Sequence, residues 1–267
     1  MKLLITELMF TMMVHVAQKL IPWLENKRKY ILIQLIFLNA ILGFYLLQFG
    51  IFYVKLPIIL IVFYLILLFQ PLTHIIRVIK SEYEISKICI PCESKEVVKI
   101  FNKMIELERM KHFQITICEN EEISEPQARG VLHKKVVFPY KMYQSLDTRE
   151  IEIIILHELM HYKRKDLIVR YFTYFLAVFH YFNPMVRTLL ANLISWQESF
   201  VDFCCLKNKR LNCDFKEYIN VLVKISKLKR PIYNRHIYRD KIYKPLYDTK
   251  ERYYRIIKFR MNKKISS

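Results

Sequence analysis

The chain has 267 residues, 54% of them hydrophobic and only 3 of them glycine, with a formal net charge of +19. That length holds one or two domains, and the scarcity of glycine beside abundant Leu, Ile, Phe and Tyr favours long helices over a loop-rich or all-β protein. The charge does not by itself imply nucleic acid: 19 basic and 5 acidic residues follow Cys205, an excess suited to an anionic membrane surface, and the sequence holds no Gly-rich phosphate loop, zinc-ribbon quartet or RNA-binding aromatic signature.

The longest apolar runs lie in the first 80 residues. Tyr30 to Val54 reads "YILIQLIFLNAILGFYLLQFGIFYV", long enough for a membrane helix, which needs ~20 mainly apolar residues. Leu56 to Ile79 is a second such run, interrupted near Pro71, and Gly50 and Pro57 bracket a short turn between the two. The stretch "MKLLITELMFTMMVHVAQKLIPWL" is more polar and has no small-residue cleavage site, so it reads as a retained first span, with an interfacial amphipathic helix as the alternative. "NKRK" (Asn26 to Lys29) separates the first two runs, whereas only Lys55 separates the next two. The positive-inside bias then places that basic loop, and everything after Lys80, in the cytoplasm.

From Ser81 the composition becomes that of an α/β segment. "SKEVVKIFNKMIELERMK" (Ser94 to Lys111) puts Val97, Phe101, Met104 and Ile105 on one helical face, with Ser94 as its cap. "FQITIC" (Phe113 to Cys118) and "KKVVFP" (Lys134 to Pro139) are β-rich runs, expected to pair as a small antiparallel sheet. Asp147 with Glu150 forms a capping box that opens a helix. Leu167 to Phe182 is an apolar helical stretch, core-packed or membrane-associated, that ends before Asn183 and Pro184. A further helix runs from about Met185 to Leu206, and a second capping box, Asp214 with Glu217, starts one that reaches about Leu228. "KERYYRIIKF" reads as a short closing helix in a basic tail. The six cysteines, including the lone pair in "CIPC" (Cys89 to Cys92), read as reduced thiols and not as a disulfide framework.

The chemistry concentrates in "IEIIILHELMHYKRKD" (Ile151 to Asp166). His157 and His161 are four apart on a predicted helix, so both imidazoles leave the same face one turn apart and can reach one Zn²⁺. Glu158, beside the first histidine, is placed to take a proton from a water on that metal. Two imidazoles and a carboxylate on an oily helix are costly without partners, and zinc provides for all three. A catalytic site needs a third protein ligand. In "WQESFVDF", Glu198 and Asp202 lie one turn apart: Glu198 can bind the metal while Asp202 accepts a hydrogen bond from a ligand histidine. A solvent-facing acidic pair, or another carboxylate such as Glu152, is the alternative.

The order "ILHELMHYKRKD", an apolar helix, "HYFNPMV" and then "QESFVDFCCL" resembles the M56 metallopeptidases, the group of the BlaR/MecR-type β-lactam sensor-transducers. His157, Glu158, His161, Asp166, Asn183, Pro184, Glu198 and Asp202 fall on that family's pattern, over roughly Lys80 to Leu228. The resemblance implies Glu198 as the third zinc ligand and a cytoplasmic protease that inactivates a repressor. The chain departs from the family in two places. No extracellular penicillin-binding sensor domain is expected of this chain, and "SEPQARG" has Glu125 between the serine and the proline that the family usually holds adjacent.

The expected fold is therefore mainly α: polytopic membrane helices over 1–80, about three of them, a gluzincin-like α+β metallopeptidase domain over 81–230 with a small antiparallel sheet, and a basic tail over 231–267. The expected activity is that of a multi-pass zinc endopeptidase of the bacterial cell membrane. It would cleave a cytoplasmic protein such as a winged-helix repressor, or itself, with the lipid bilayer as its other partner and no direct nucleic-acid contact. The alternatives are a quality-control zinc protease resembling the HtpX group, against which "FNP" before Glu198 argues, and a non-catalytic regulator that binds a repressor.

Overall fold

A computed structural model describes residues 87–178, 180 and 183–228, with isolated positions before and after them. The chain divides into two compact units, Met1–Lys80 with Arg170–Trp196 and Ser81–Val169 with Gln197–Ser267. The second unit holds strands β1 (Ile90–Pro91), β2 (Thr116–Asn120), β3 (Gln127–Arg129) and β4 (Lys135–Pro139), and helices α1 (Lys95–Leu107), α2 (Thr148–Lys163) and α5 (Phe215–Leu228). Helix α3 (Asp166–Val178) starts in the second unit and continues into the first, and α4 (Pro184–Leu206) runs from the first into the second.

Two parts of the expected fold class are corrected. The described architecture is an α+β fold of five α-helices and a four-stranded sheet, not a mainly α bundle with polytopic membrane helices. Among the described residues no helix is long and apolar enough to cross a membrane. Helix α4 has 23 residues, a sufficient length, but Asn192, Gln197, Glu198 and Asp202 interrupt its apolar sequence. The runs that carried the expectation of spans, within 1–80, lie outside the described residues apart from isolated positions, and so does the closing helix except for Ile256 and Ile257.

The second correction concerns the sheet, which is mixed. Its order is β1-β2-β4-β3. The two β-rich runs pair in parallel, with Thr116 opposite Lys135 and Asn120 opposite Pro139. Parallel neighbours need a crossover of a dozen or so residues, and residues 121–134 provide it by laying β3 antiparallel on the far edge of β4. The return from β3 depends on Gly130, whose φ is +80° and whose Cβ, if present, would lie 2.1 Å from the His133 carbonyl oxygen. Being central, β4 is covered on both faces, and Val136, Val137 and Phe138 are fully buried.

Helix α1 begins as its sequence suggests, with Ser94 Oγ accepting from the Val97 N–H, and it buries Val97, Ile100, Phe101, Met104 and Ile105. At its C-terminal end Glu108, buried, accepts from Lys163 at 2.8 Å and from Asn208 at 2.7 Å, so one carboxylate joins the ends of α1 and α2 to the segment after α4. The capping box of α2 is present in both directions, with Asp147 accepting from the Glu150 N–H at 2.7 Å and Glu150 from the Asp147 N–H at 2.9 Å. Every residue from Ile151 to Tyr162 is buried, as in a helix apolar all round. The Tyr162 hydroxyl accepts from the Lys135 N–H at 2.9 Å and lies 2.5 Å from the Arg129 carbonyl, which pins the β3–β4 hairpin to α2.

Candidate metal centre

Helix α2 presents His157 and His161 side by side, with ring centroids 5.1 Å apart and nearly perpendicular planes. Helix α4 brings Glu198 to both. The His157 Nε2 lies 3.3 Å from one carboxylate oxygen of Glu198, and the His161 Nε2 lies 3.4 Å from the other. The donor atoms of these three residues fall within 4.8 Å of one another, the one such cluster of three or more metal-type side chains among the described residues. A tetrahedral zinc with bonds of about 2.0–2.1 Å holds its ligand atoms roughly 3.3 Å apart. The spacing fits.

The remaining ring nitrogens face acceptors. The His161 Nδ1 is 3.2 Å from Asp166, a fully buried carboxylate that also accepts from Arg164 Nε at 3.1 Å. A carboxylate can only accept, so the His161 Nδ1 donates to Asp166, and Nε2, which faces Glu198, is the nitrogen that would ligate a metal. Burial works against the Asp166 anion, but its contacts with His161 and Arg164 prevail and hold its pKa below the usual carboxylate range. Arg164 is itself steadied over the Phe200 ring, 4.0 Å from its centroid.

The surroundings of His157 differ from the pattern read in the sequence. Asp202 Oδ1 stands 3.5 Å from the His157 Nδ1, and the hydroxyl of Tyr218 lies between them, 2.7 Å from Asp202 and 2.9 Å from His157. Cys205, fully buried, also touches the imidazole. Burial disfavours the His157 cation, yet its contacts with Cys205 and Glu198 and the charges of Glu158 and Asp202 outweigh that, and its pKa rises well above the ordinary value.

Glu158 is buried within the same helix. Burial pushes its pKa up, the neighbouring His157 and His161 pull it down, Glu198 pushes it up again, and the Ala128 N–H of β3 donates to it. Glu152, the other carboxylate considered from the sequence, is engaged elsewhere, by Lys103 at 2.7 Å and Arg149 at 3.3 Å. The six cysteines are free thiols.

Sequence reasoning missed Tyr218 and Cys205. Cys205 sits near the end of α4 with no pattern around it. Tyr218 follows the capping residue Glu217 directly, and only the docking of α5 on α2 reveals its role. Arg149, at the start of α2, grips that turn through Glu217 at 2.7 Å and the Leu211 carbonyl at 2.7 Å.

The sequence profile of a family described as BlaR1 peptidase M56 matches residues 50–252. The chain belongs to the M56 peptidase family. It is 30% identical over 139 residues to the regulatory protein BlaR1 of Bacillus licheniformis, an alignment that covers 51% of this chain and 22% of that protein. It is 33% identical over 81 residues to the methicillin resistance mecR1 protein of Staphylococcus aureus, over 29% of this chain and 14% of the relative. The same figures hold for the mecR1 protein of Staphylococcus epidermidis. The M56 chain described here therefore spans under a quarter of the length of these relatives, and their regulatory and resistance roles are those of larger proteins.

Proposed function

We propose that this chain is a membrane-associated zinc endopeptidase of M56 type that cleaves a protein on the cytoplasmic side, a transcriptional repressor or the chain itself, in signal transduction. The observation that carries this reading is the convergence of His157 Nε2, His161 Nε2 and the Glu198 carboxylate within 4.8 Å, with Glu158 on the same turn. Three protein ligands leave one position of a tetrahedral metal open, as in catalytic sites. Zinc held there would supply a Lewis acid that acidifies a water and polarises the scissile carbonyl.

The chain's own residues supply the remainder. Glu158 is not one of the three converging ligands, and its raised pKa suits a group that takes a proton from the attacking water and returns it to the leaving amine. Asp166 and the Tyr218–Asp202 pair hold the two imidazoles in place. Strand β3 is one of the two edge strands of the sheet, half-buried throughout, and its Ala128 N–H points to Glu158, so an extended peptide added along that edge runs past the carboxylate. The names of the similar proteins support a role in antibiotic response, and the match to the M56 profile with "FNP" ahead of Glu198 supports this reading over an HtpX-like one.

Glu158→Gln keeps the volume of the side chain but cannot take the proton. In cells co-expressing a candidate repressor, the variant is expected to retain zinc and to lose cleavage by roughly 10²–10⁴-fold, seen as missing fragments on an immunoblot. Repression relieved as well by the variant as by wild type would show that the protein acts by binding alone.

A further inference from the structure

The Tyr218 hydroxyl has a single proton and lies between Asp202 Oδ1 at 2.7 Å and His157 Nδ1 at 2.9 Å, with the Cys205 thiol also against it. Both Tyr218 and Asp202 are fully buried, with no solvent to substitute for either contact. An ionised carboxylate can only accept, so the phenol proton belongs to Asp202. The phenol oxygen is then left as an acceptor, to which His157 can donate from Nδ1 at 2.9 Å. With the Nδ1 proton held there, Nε2, which faces Glu198, is the nitrogen left to ligate a metal. The opposite arrangement, with the phenol donating to Nδ1, would put a proton on Nε2, 3.3 Å from Glu198, where a metal must bind.

Asp202 does not reach this imidazole unaided, since 3.5 Å from Nδ1 exceeds an ordinary N–H···O hydrogen bond. His161 needs no such intermediary, because Asp166 meets its Nδ1 directly at 3.2 Å. We propose that Tyr218 is the positioning residue for His157, relaying the Asp202 carboxylate so that Nε2 is the ligating nitrogen. This inference rests on reading His157, His161 and Glu198 as a metal site. It also makes the docking of α5 a condition of ligand geometry. Asp214 and Glu217 cap that helix, Arg149 ties its first turn to α2, and the next residue is the relay.

The test uses the full-length chain carrying Glu158→Gln, which prevents self-cleavage, titrated with zinc against a competing chelator. Tyr218→Phe keeps the ring and its packing and removes only the hydroxyl. It is expected to weaken zinc binding roughly 10–100-fold, as loss of an outer partner of a ligand histidine does. Asp202→Ala should cost a similar factor, and the double variant no more than the worse single one, because the two groups act in series. A Tyr218→Phe protein that binds zinc as tightly as its parent overturns the proposal, and so do additive effects in the double variant. Should the variants not fold, ¹⁵N-histidine spectra of the zinc-loaded parent decide instead: an Nδ1–H on His157 with zinc on Nε2 supports the relay, and zinc on Nδ1 overturns it. A parent that binds no zinc would instead overturn the metal site itself, a result distinct from either.

Discussion

The two halves of α2 are both rich in polar groups, and they are held in different ways. At the start of the helix, Asp147 and Glu150 satisfy each other three residues apart, while the long-range pairs of Arg149 with Glu217 and of Lys224 with Glu150 involve partly exposed cations. Pairs of that kind contribute about 0–1 kcal/mol each, so the local box sets where the helix begins. At the other end, the partners of His157 lie 41 and 61 residues away, and the acids behind the two histidines are fully buried. There, water cannot replace a lost partner. A polar group in a water-accessible turn can be satisfied by its sequence neighbours or by water, whereas His157 needs the assembled fold, and the buried His161–Asp166 pair, though five residues apart, has no water to replace either member.

The contrast predicts unequal costs for losing one carboxylate at either end. Asp166→Ala, at the buried end, frees the His161 ring and is expected to weaken zinc binding roughly 10–100-fold, measured by chelator competition. It should also change the acid limb of stability. The folded pKa of Asp166 is lowered, so its contribution is present above the unfolded value of about 3.9 and is lost as pH falls through the folded value. The metal-free variant should therefore lose less stability than wild type between about pH 5 and that folded value, in thermal melts across the range. Equal acid sensitivity in the two proteins would place the stabilising charge elsewhere.

Asp147→Ala, at the exposed end, should cost about 1 kcal/mol, within the 0.5–2 kcal/mol usual for a lost N-cap. Zinc affinity should be unchanged, because the first histidine lies more than two turns further along the helix. A drop in affinity as large as that of Asp166→Ala would erase the distinction between the two halves.

The same contrast separates what the sequence reveals from what it conceals. The capping box, the Ser94 cap and the four-residue spacing of His157 and His161 are local, and each was legible because a helix dictates which neighbours meet. The direction of pairing between β2 and β4 was not legible. Apolar alternation reports a buried face, but parallel or antiparallel pairing depends on where residues 121–134 lay down β3. Tyr218 was hidden for a related reason: nothing near "DFKEYINVL" requires a phenol, and its partners come from α2 and α4. The expectation of membrane helices drew on hydropathy within 1–80, which says nothing about how the described α+β fold packs.

His157, His161 and Glu198 are proposed to hold one metal ion, and every role assigned to their neighbours depends on it. The most direct measurement is the zinc content of the purified full-length chain and of its Glu198→Ala variant, by elemental analysis after dialysis against trace chelator. About one zinc per chain in wild type, and little or none in the variant, is the expected result, since each residue is one of only three protein ligands. Full occupancy in Glu198→Ala, or none in a folded wild-type protein, would contradict the account.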